Sequence, residues 1–229
     1  ELFKFIKKKP DDIKALFYIA ENFKSQKKYT NAIKTYNAII DLKHNHFKSW
    51  SGLGFSYYKI GKTQYAIDSF KKALYLKPSS FQVHYNLGKA YHVKEMFEKA
   101  LQSYKKATEY LPDFANAFYN SALIYQMIGK KKLAERFLKK TLIANKTHAK
   151  AYYDLSQLKT FSAKDPIIEK MKLILEDPKT TKMDRCYISF SLSKVEEDVG
   201  NLEKAFDHLK EGNRLRKIVT GYSIEDDKI

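Results

Sequence analysis

Apolar side chains recur along this chain at helical spacing, in paired stripes separated by short polar breaks. Leu16, Ile19, Ala20 and Phe23 fall at i, i+3, i+4 and i+7, and after the polar stretch from Ser25 to Lys28 a second stripe follows at Ala32, Ile33, Tyr36, Ile39 and Ile40. Each stripe is the mark of an amphipathic helix with one apolar face. The pair then returns. Trp50, Leu53, Gly54, Tyr57, Ala66, Phe70, Ala73 and Pro78 are followed 34 residues on by His84, Leu87, Gly88, Tyr91, Ala100, Tyr104, Ala107 and Pro112. Phe118, Ala122, Tyr125, Ala134 and Leu138 continue the series. A fixed period of this length predicts a helix–turn–helix unit repeated along the chain.

The small residues supply the physical reason for the period. Ala32, Ala66, Ala100 and Ala134 share one slot, and Ala20, Gly54, Gly88 and Ala122 share another. Two antiparallel helices approach closely only where the crossing side chains are small. Glycine inside a helix costs up to ~1 kcal/mol against alanine, so Gly54 and Gly88 are expected at close contacts. Gly61 and Gly129 mark the turns within their units. The pattern divides the chain into repeats 13–46, 47–80, 81–114 and 115–148, with a partial one at 149–160. Residues 1–12 read as the end of a preceding repeat, because Pro10 occupies the slot of Pro78 and Pro112.

After residue 160 the period breaks. The span 161–181 reads as an irregular segment holding one short apolar helix, opened by Asp165-Pro166, carrying Ile167, Ile168, Met171 and Ile174, and ended at Asp177-Pro178. Asp can cap a helix and Pro suits its first turn. A last helix pair spans 182–219 with Gly200-Asn201 at its turn, and 220–229 reads as a tail or linker. Ala205 fits the repeated alanine slot only after a small shift of phase.

The residues Trp50, Leu53, Gly54, Tyr57, Ala66, Phe70 and Pro78 resemble the tetratricopeptide repeat position by position. That resemblance implies an all-α fold, a right-handed superhelical solenoid of antiparallel helix pairs whose first helices line a concave wall. It also implies that the second, fifth, sixth, ninth and twelfth positions of each first helix face inward. In the first repeat these hold Lys14, Phe17, Tyr18, Glu21 and Lys24; in the second, Lys48, Ser51, Gly52, Phe55 and Tyr58; in the third, Gln82, Tyr85, Asn86, Lys89 and His92. Tyr85, Tyr119 and Tyr153 recur as an aromatic stripe, with Asn86 and Asn120 beside it. Asparagine offers a donor and an acceptor to a peptide backbone, and tyrosine gives a large contact area at low entropy cost. The candidate binding residues are therefore Lys48, Tyr58, Tyr85, Asn86, Lys89, Tyr119, Asn120 and Tyr153, and the expected partner is an extended peptide or protein. The family's carboxylate clamp is not reproduced in the first repeat, where Phe17 and Glu21 stand at the fifth and ninth positions.

Charge adds a second reading. Forty-three Lys and Arg against 26 Asp and Glu give a net charge of +17. A nucleic acid or another anionic surface fits such a balance. A low-GC genome gives the same excess, since Lys far outnumbers Arg, and Arg is the better phosphate ligand. Self-association through an apolar face left uncapped near 160–180 is a third reading. No apolar run approaches the ~18 residues of a membrane span, and the one cysteine, Cys186, excludes a disulfide framework and suits a reducing, cytoplasmic setting.

The stretch 165–227, with Asp165-Pro166-Ile167-Ile168, Phe190-Ser191-Leu192-Ser193-Lys194, Asn201-Leu202-Glu203-Lys204-Ala205-Phe206, Glu211-Gly212-Asn213 and Gly221-Tyr222-Ser223-Ile224, resembles the segment joining repeats to the catalytic domain in bacterial tetratricopeptide-repeat sulfotransferases. That resemblance implies a domain using the sulfate donor PAPS beyond residue 229. Within 1–229 there is no Gly-rich phosphate loop, Cys/His cluster or nucleophile–base pair, so no catalytic residue, metal site or cofactor is expected here.

Overall fold

A computed structural model of the protein describes residues 11–221. The expected end of a preceding repeat, apart from residues 11 and 12, and the tail beyond 221 lie outside the described residues. Among the described residues there are twelve α-helices and no strand. They form two compact units, one ending at Pro112 and the other starting at Asp113.

The first unit holds α1 (Ile13–Ser25), α2 (Tyr29–Leu42), α3 (Phe47–Lys59), α4 (Thr63–Leu76), α5 (Phe81–Val93) and α6 (Phe97–Tyr110). These pack as three hairpins, α1 on α2, α3 on α4 and α5 on α6, with α2 also against α3 and α4 against α5. Asp12 opens α1 by accepting the backbone N–H groups of Lys14 and Ala15 at 2.9 and 3.0 Å, which satisfies donors the first turn leaves unpaired. One core gathers Leu16, Ala20, Ala32, Ile33, Tyr36, Ile39, Ile40 and Leu53, with Trp50 and Tyr57 packed against it.

The glycine slot is as tight as the period requires. A Cβ on Gly54 would lie 2.6 Å from the Phe70 ring, and one on Gly88 would lie 2.5 Å from the Tyr104 ring. In the first hairpin Ala20 fills that slot, and the Tyr36 ring leans instead over Gly52, where a Cβ would meet it at 2.4 Å. The slot of Trp50 and His84 has a second use. The indole N–H of Trp50 donates to the His44 carbonyl at 2.8 Å, and His84 Nε2–H donates to the Pro78 carbonyl at 2.8 Å. Each ties a first helix to the loop that precedes it.

The second unit holds α7 (Ala115–Met127), α8 (Lys131–Ala144), α9 (Ala149–Leu158), α10 (Ile167–Glu176), α11 (Lys182–Asp198) and α12 (Leu202–Thr220). Hairpins α7–α8 and α11–α12 flank α9, which packs on both α8 and α11. The short α10 packs on α11 and buries Ile168, Met171 and Ile174. Arg185 ties down its C-terminal end, its guanidinium donating to the carbonyl of Leu175 in the last turn and to those of Asp177 and Thr180 in the turn that follows. At its start the Asp165 carboxylate accepts the Ile167 N–H. The phase break after residue 160 thus corresponds to a helix docked beside the stack, with α9 resting directly on α11. Tyr152 repeats the loop tie of Trp50 and His84, donating its hydroxyl to the Lys146 carbonyl at 2.9 Å.

Candidate functional site

The first helices of the first unit, α1, α3 and α5, share an open groove of about 340 Å³. All three contribute to it: Phe17, Glu21 and Lys24 from α1, Lys48, Ser51 and Phe55 from α3, and Gln82 and Asn86 from α5. The side chains that reach it follow from the helical register. Residues three and four apart stand on one face, so Phe17, Glu21 and Lys24 align, as do Lys48, Ser51 and Phe55.

Lysines stand over aromatic rings in the groove and on the first helices around it. Lys48 Nζ stands 5.9 Å from the centroid of Phe17, Lys24 Nζ and Lys59 Nζ stand 5.9 and 5.5 Å from that of Phe55, and Lys89 Nζ stands 5.0 Å from Tyr58 and 5.7 Å from Tyr85. Such contacts hold an ammonium over the negative face of a ring. The three helices carry five lysines and one acid, Glu21. Glu21 is already engaged, by an ion pair with Lys24 and by the Tyr36 hydroxyl, which donates to it. Burial, with the Glu21 charge adding to it, pushes the Tyr36 phenol far above its ordinary value. Burial first and the neighbouring Lys59 second hold the Lys89 ammonium below the ordinary lysine range.

Of the eight sequence-expected residues, Lys48 and Asn86 line this groove, while Tyr58 and Tyr85 gather around the ammonium of Lys89, on α3 and α5. Gln82 Nε2 donates to Asn86 Oδ1 at 3.5 Å, leaving the Asn86 carboxamide at the groove surface. Lys59, one residue past the inward register, joins them and was missed by that register. The rings of Phe17 and Phe55 stood at inward positions but drew no weight in the sequence, since they recur in no other repeat.

The other three expected residues lie in the second unit, where they part company. Tyr119 is only 7% exposed and donates its hydroxyl to Asp154 at 2.6 Å, with the His148 ring 4.7 Å away. Burial raises the Asp154 carboxyl above its ordinary range, against the lowering effect of the Tyr119 hydrogen bond. Asn120 is half-buried. Tyr153 lines a separate open cavity of about 460 Å³ with Phe190 from α11 and Phe206 from α12. Leu202 and Phe206, 69% and 65% exposed, make its outer wall apolar. Among the described residues no three His, Cys, Asp or Glu side chains gather as a metal site would need. Among those residues no helix is long and apolar enough to cross a membrane.

Models of the tetratricopeptide repeat match residues 14–42 and 81–114, and a model described as a TPR repeat matches 56–94. The chain carries tetratricopeptide repeats. Three solved structures share the fold of these repeats at low identity. MamA is 20% identical, covering 89% of this chain and 98% of its own, with a TM-score of 0.57. YrrB, described as a TPR protein with an unusual peptide-binding site, is 18% identical over 92% of this chain and 98% of its own, with a TM-score of 0.60. The pilF protein of Pseudomonas aeruginosa is 16% identical over 92% and 93%, with a TM-score of 0.69. Among curated proteins none matches the sequence. None of these matches links the chain, or its stretch 165–227, to sulfotransferases.

Proposed function

We propose that this chain is a protein-interaction scaffold whose first unit takes an extended peptide in the groove along α1, α3 and α5. The observation that carries this reading is the groove itself, open and lined from three successive first helices by rings, lysines and a surface carboxamide. An extended strand laid across the three helices presents N–H and C=O groups to Asn86 and side chains to Phe17 and Phe55. Lys48, Tyr58, Tyr85 and Lys89 are the remaining contacts. In the second unit Asn120 and Tyr153 serve as a further wall for a partner. The repeat divisions 13–46, 47–80, 81–114, 115–148 and 149–160, with a final pair at 182–219, belong to the same reading.

Panning a displayed library of short random peptides on the full chain tests it. Recovered peptides should share a motif and lose binding to Phe55→Ala and Asn86→Ala variants that still fold. Peptides that bind these variants unchanged would sink the groove. The net charge of +17 favours a second reading, a scaffold for nucleic acid or another anionic surface. Phosphate binding weakens steeply and linearly in log–log form with salt, whereas a peptide held through rings and amides weakens little. The link to a PAPS-dependent sulfotransferase domain is carried by the residues of 165–227. A coding sequence that continues beyond Ile229 into a strand, a Gly/Ser/Thr-rich turn and a helix supports it, and a stop codon removes it.

A further inference from the structure

We propose that the open cavity between the second helices α4 and α6 binds a row of linked phosphate groups, as carried by a nucleoside triphosphate or an inorganic oligophosphate. This site lies apart from the peptide groove and stands without it. The cavity measures about 400 Å³. Leu74 of α4 with Leu87 and Tyr91 of α5 give it an apolar floor, and Lys71 of α4 with Lys99 and Lys106 of α6 give it a cationic rim. Gln102 adds a carboxamide, and no Asp or Glu lines it. Residues 99, 102, 103 and 106 fall at i, i+3, i+4 and i+7, so α6 turns one face to the cavity. Among the described residues neither Lys71 nor Lys99 pairs with a carboxylate, and Lys106 pairs with Glu109 at 2.7 Å, both side chains exposed. An exposed pair of that kind is worth little, so this ammonium is free to turn to a better anion.

The lining departs from the period at four positions. Thirty-four residues before Lys71, His84, Lys99 and Gln102 stand Asn37, Trp50, Tyr65 and Asp68. A general excess of lysine would raise every repeat alike. Here an amide and a phenol give way to ammonium groups, an acid to an amide, and an indole to the smaller imidazole, all on one cavity. Lys106 keeps its lysine counterpart, Lys72. Seven residues separate Lys99 from Lys106, about 10 Å of helix, and Lys71 comes from the neighbouring second helix. One carboxylate spans no such distance, and a peptide spreads its carboxylates thinly. Linked phosphates concentrate charge over that length, and a compact ammonium meets them as a point charge. Single-stranded nucleic acid also needs open ring faces for its bases. The aromatic ring of this cavity, Tyr91, is 8% exposed, with Lys99 Nζ 5.9 Å from its centroid.

Isothermal titration calorimetry with the full chain tests this, at one fixed salt concentration and without divalent cations. The titrants are inorganic triphosphate, ATP, citrate as a compact tricarboxylate, and oligo-dT. Triphosphate should bind as a single molecule per chain and more tightly than citrate. Lys71→Gln/Lys99→Gln should weaken it about tenfold. Lys131→Gln/Lys132→Gln on α8 makes the same change of net charge elsewhere and should leave it unchanged. His84→Trp keeps all three lysines, restores the indole found one period earlier and narrows the cavity, so it should weaken triphosphate as well. Circular dichroism melts check folding, and the α4/α6 lysine variant, altered only at exposed positions, gives the reading if His84→Trp fails to fold. ATP bound more tightly than triphosphate identifies a nucleotide with its base on the apolar floor, and the reverse order identifies an inorganic oligophosphate; either supports the site. Binding of neither, citrate bound as tightly as triphosphate, or full retention in the α4/α6 lysine variant overturns it. Equal loss in the α8 variant, or tighter binding of oligo-dT, assigns the attraction to overall charge and overturns it too.

Discussion

Gly88→Ala is the substitution that most directly probes why this chain repeats. On helix propensity alone it should help, by about 1 kcal/mol. The structure says otherwise. The new Cβ would lie 2.5, 2.6 and 3.1 Å from three carbons of the Tyr104 ring, where ordinary contact begins at 3.4 Å. The ring must retreat by about 1 Å, yet Tyr104 is fully buried. Overpacking of this kind costs about 1–3 kcal/mol, and a fully enclosed ring belongs at the upper end of that range. The net expectation is a loss of about 1–2 kcal/mol, after the propensity gain is subtracted. Urea denaturation followed by the fluorescence of Trp50, the only tryptophan and a residue of the adjoining hairpin, reports on this unit. The decisive comparison uses Tyr104→Leu, which copies the Ala122/Leu138 pair of the next repeat. In that background Gly88→Ala should become neutral or stabilising, because the ring is gone, and the two effects should fail to add. A stabilising Gly88→Ala in the parent chain, or the same loss in both backgrounds, would refute the close-contact account.

Two further outcomes follow from the backbone and the histidines. Lys27, Gly61, Glu95 and Gly129 occupy one slot in successive turns, and all four have left-handed φ values, 59°, 76°, 56° and 73°. A side chain there costs about 1–2 kcal/mol, offset in part by the entropy glycine loses on folding, so Lys27→Gly and Glu95→Gly should each stabilise by about 0.5–1 kcal/mol while Gly61→Ala destabilises; thermal melts showing the opposite signs would contradict this. His46, His84, His92, His148 and His208 are all held below the ordinary histidine range, chiefly by burial. The folded chain therefore favours their neutral form, and the stability this gives is present above the ordinary value of about 6.5 and lost as pH falls through the folded values. Calorimetry should show the melting temperature dropping between about pH 7 and pH 5.5, above the carboxylate range; a flat or rising profile would count against it.

Which features were legible in the sequence depends on how local their cause is. The helix pairs and their period come from volume. Ala32, Ala66 and Ala100 are buried completely against partner helices of their own hairpin, and Gly54 and Gly88 face rings exactly sixteen positions on. Such constraints repeat with the unit, so they print themselves on the sequence as a period. The site obeys different rules. Tyr85 and Tyr119 share a register position, yet Tyr85 lies beside Lys89 while Tyr119 turns to donate to Asp154. The cause is a single change in the next repeat: Asp154 stands where the ladder of Asn86 and Asn120 would place a third amide. A carboxylate accepts a phenolic proton more strongly than an amide oxygen does, so the tyrosine leaves the surface for it. The same logic explains α10, whose apolar stripe was visible while its C-terminal partner, Arg185, was not, because that contact reaches back across a turn outside any period. Binding surfaces in repeat proteins are made where one copy departs from the others. Periodicity marks the inward positions, and only the departures from it, Phe17 and Phe55 in the first unit and Asp154 in the second, set each unit's wall apart from the repeated pattern.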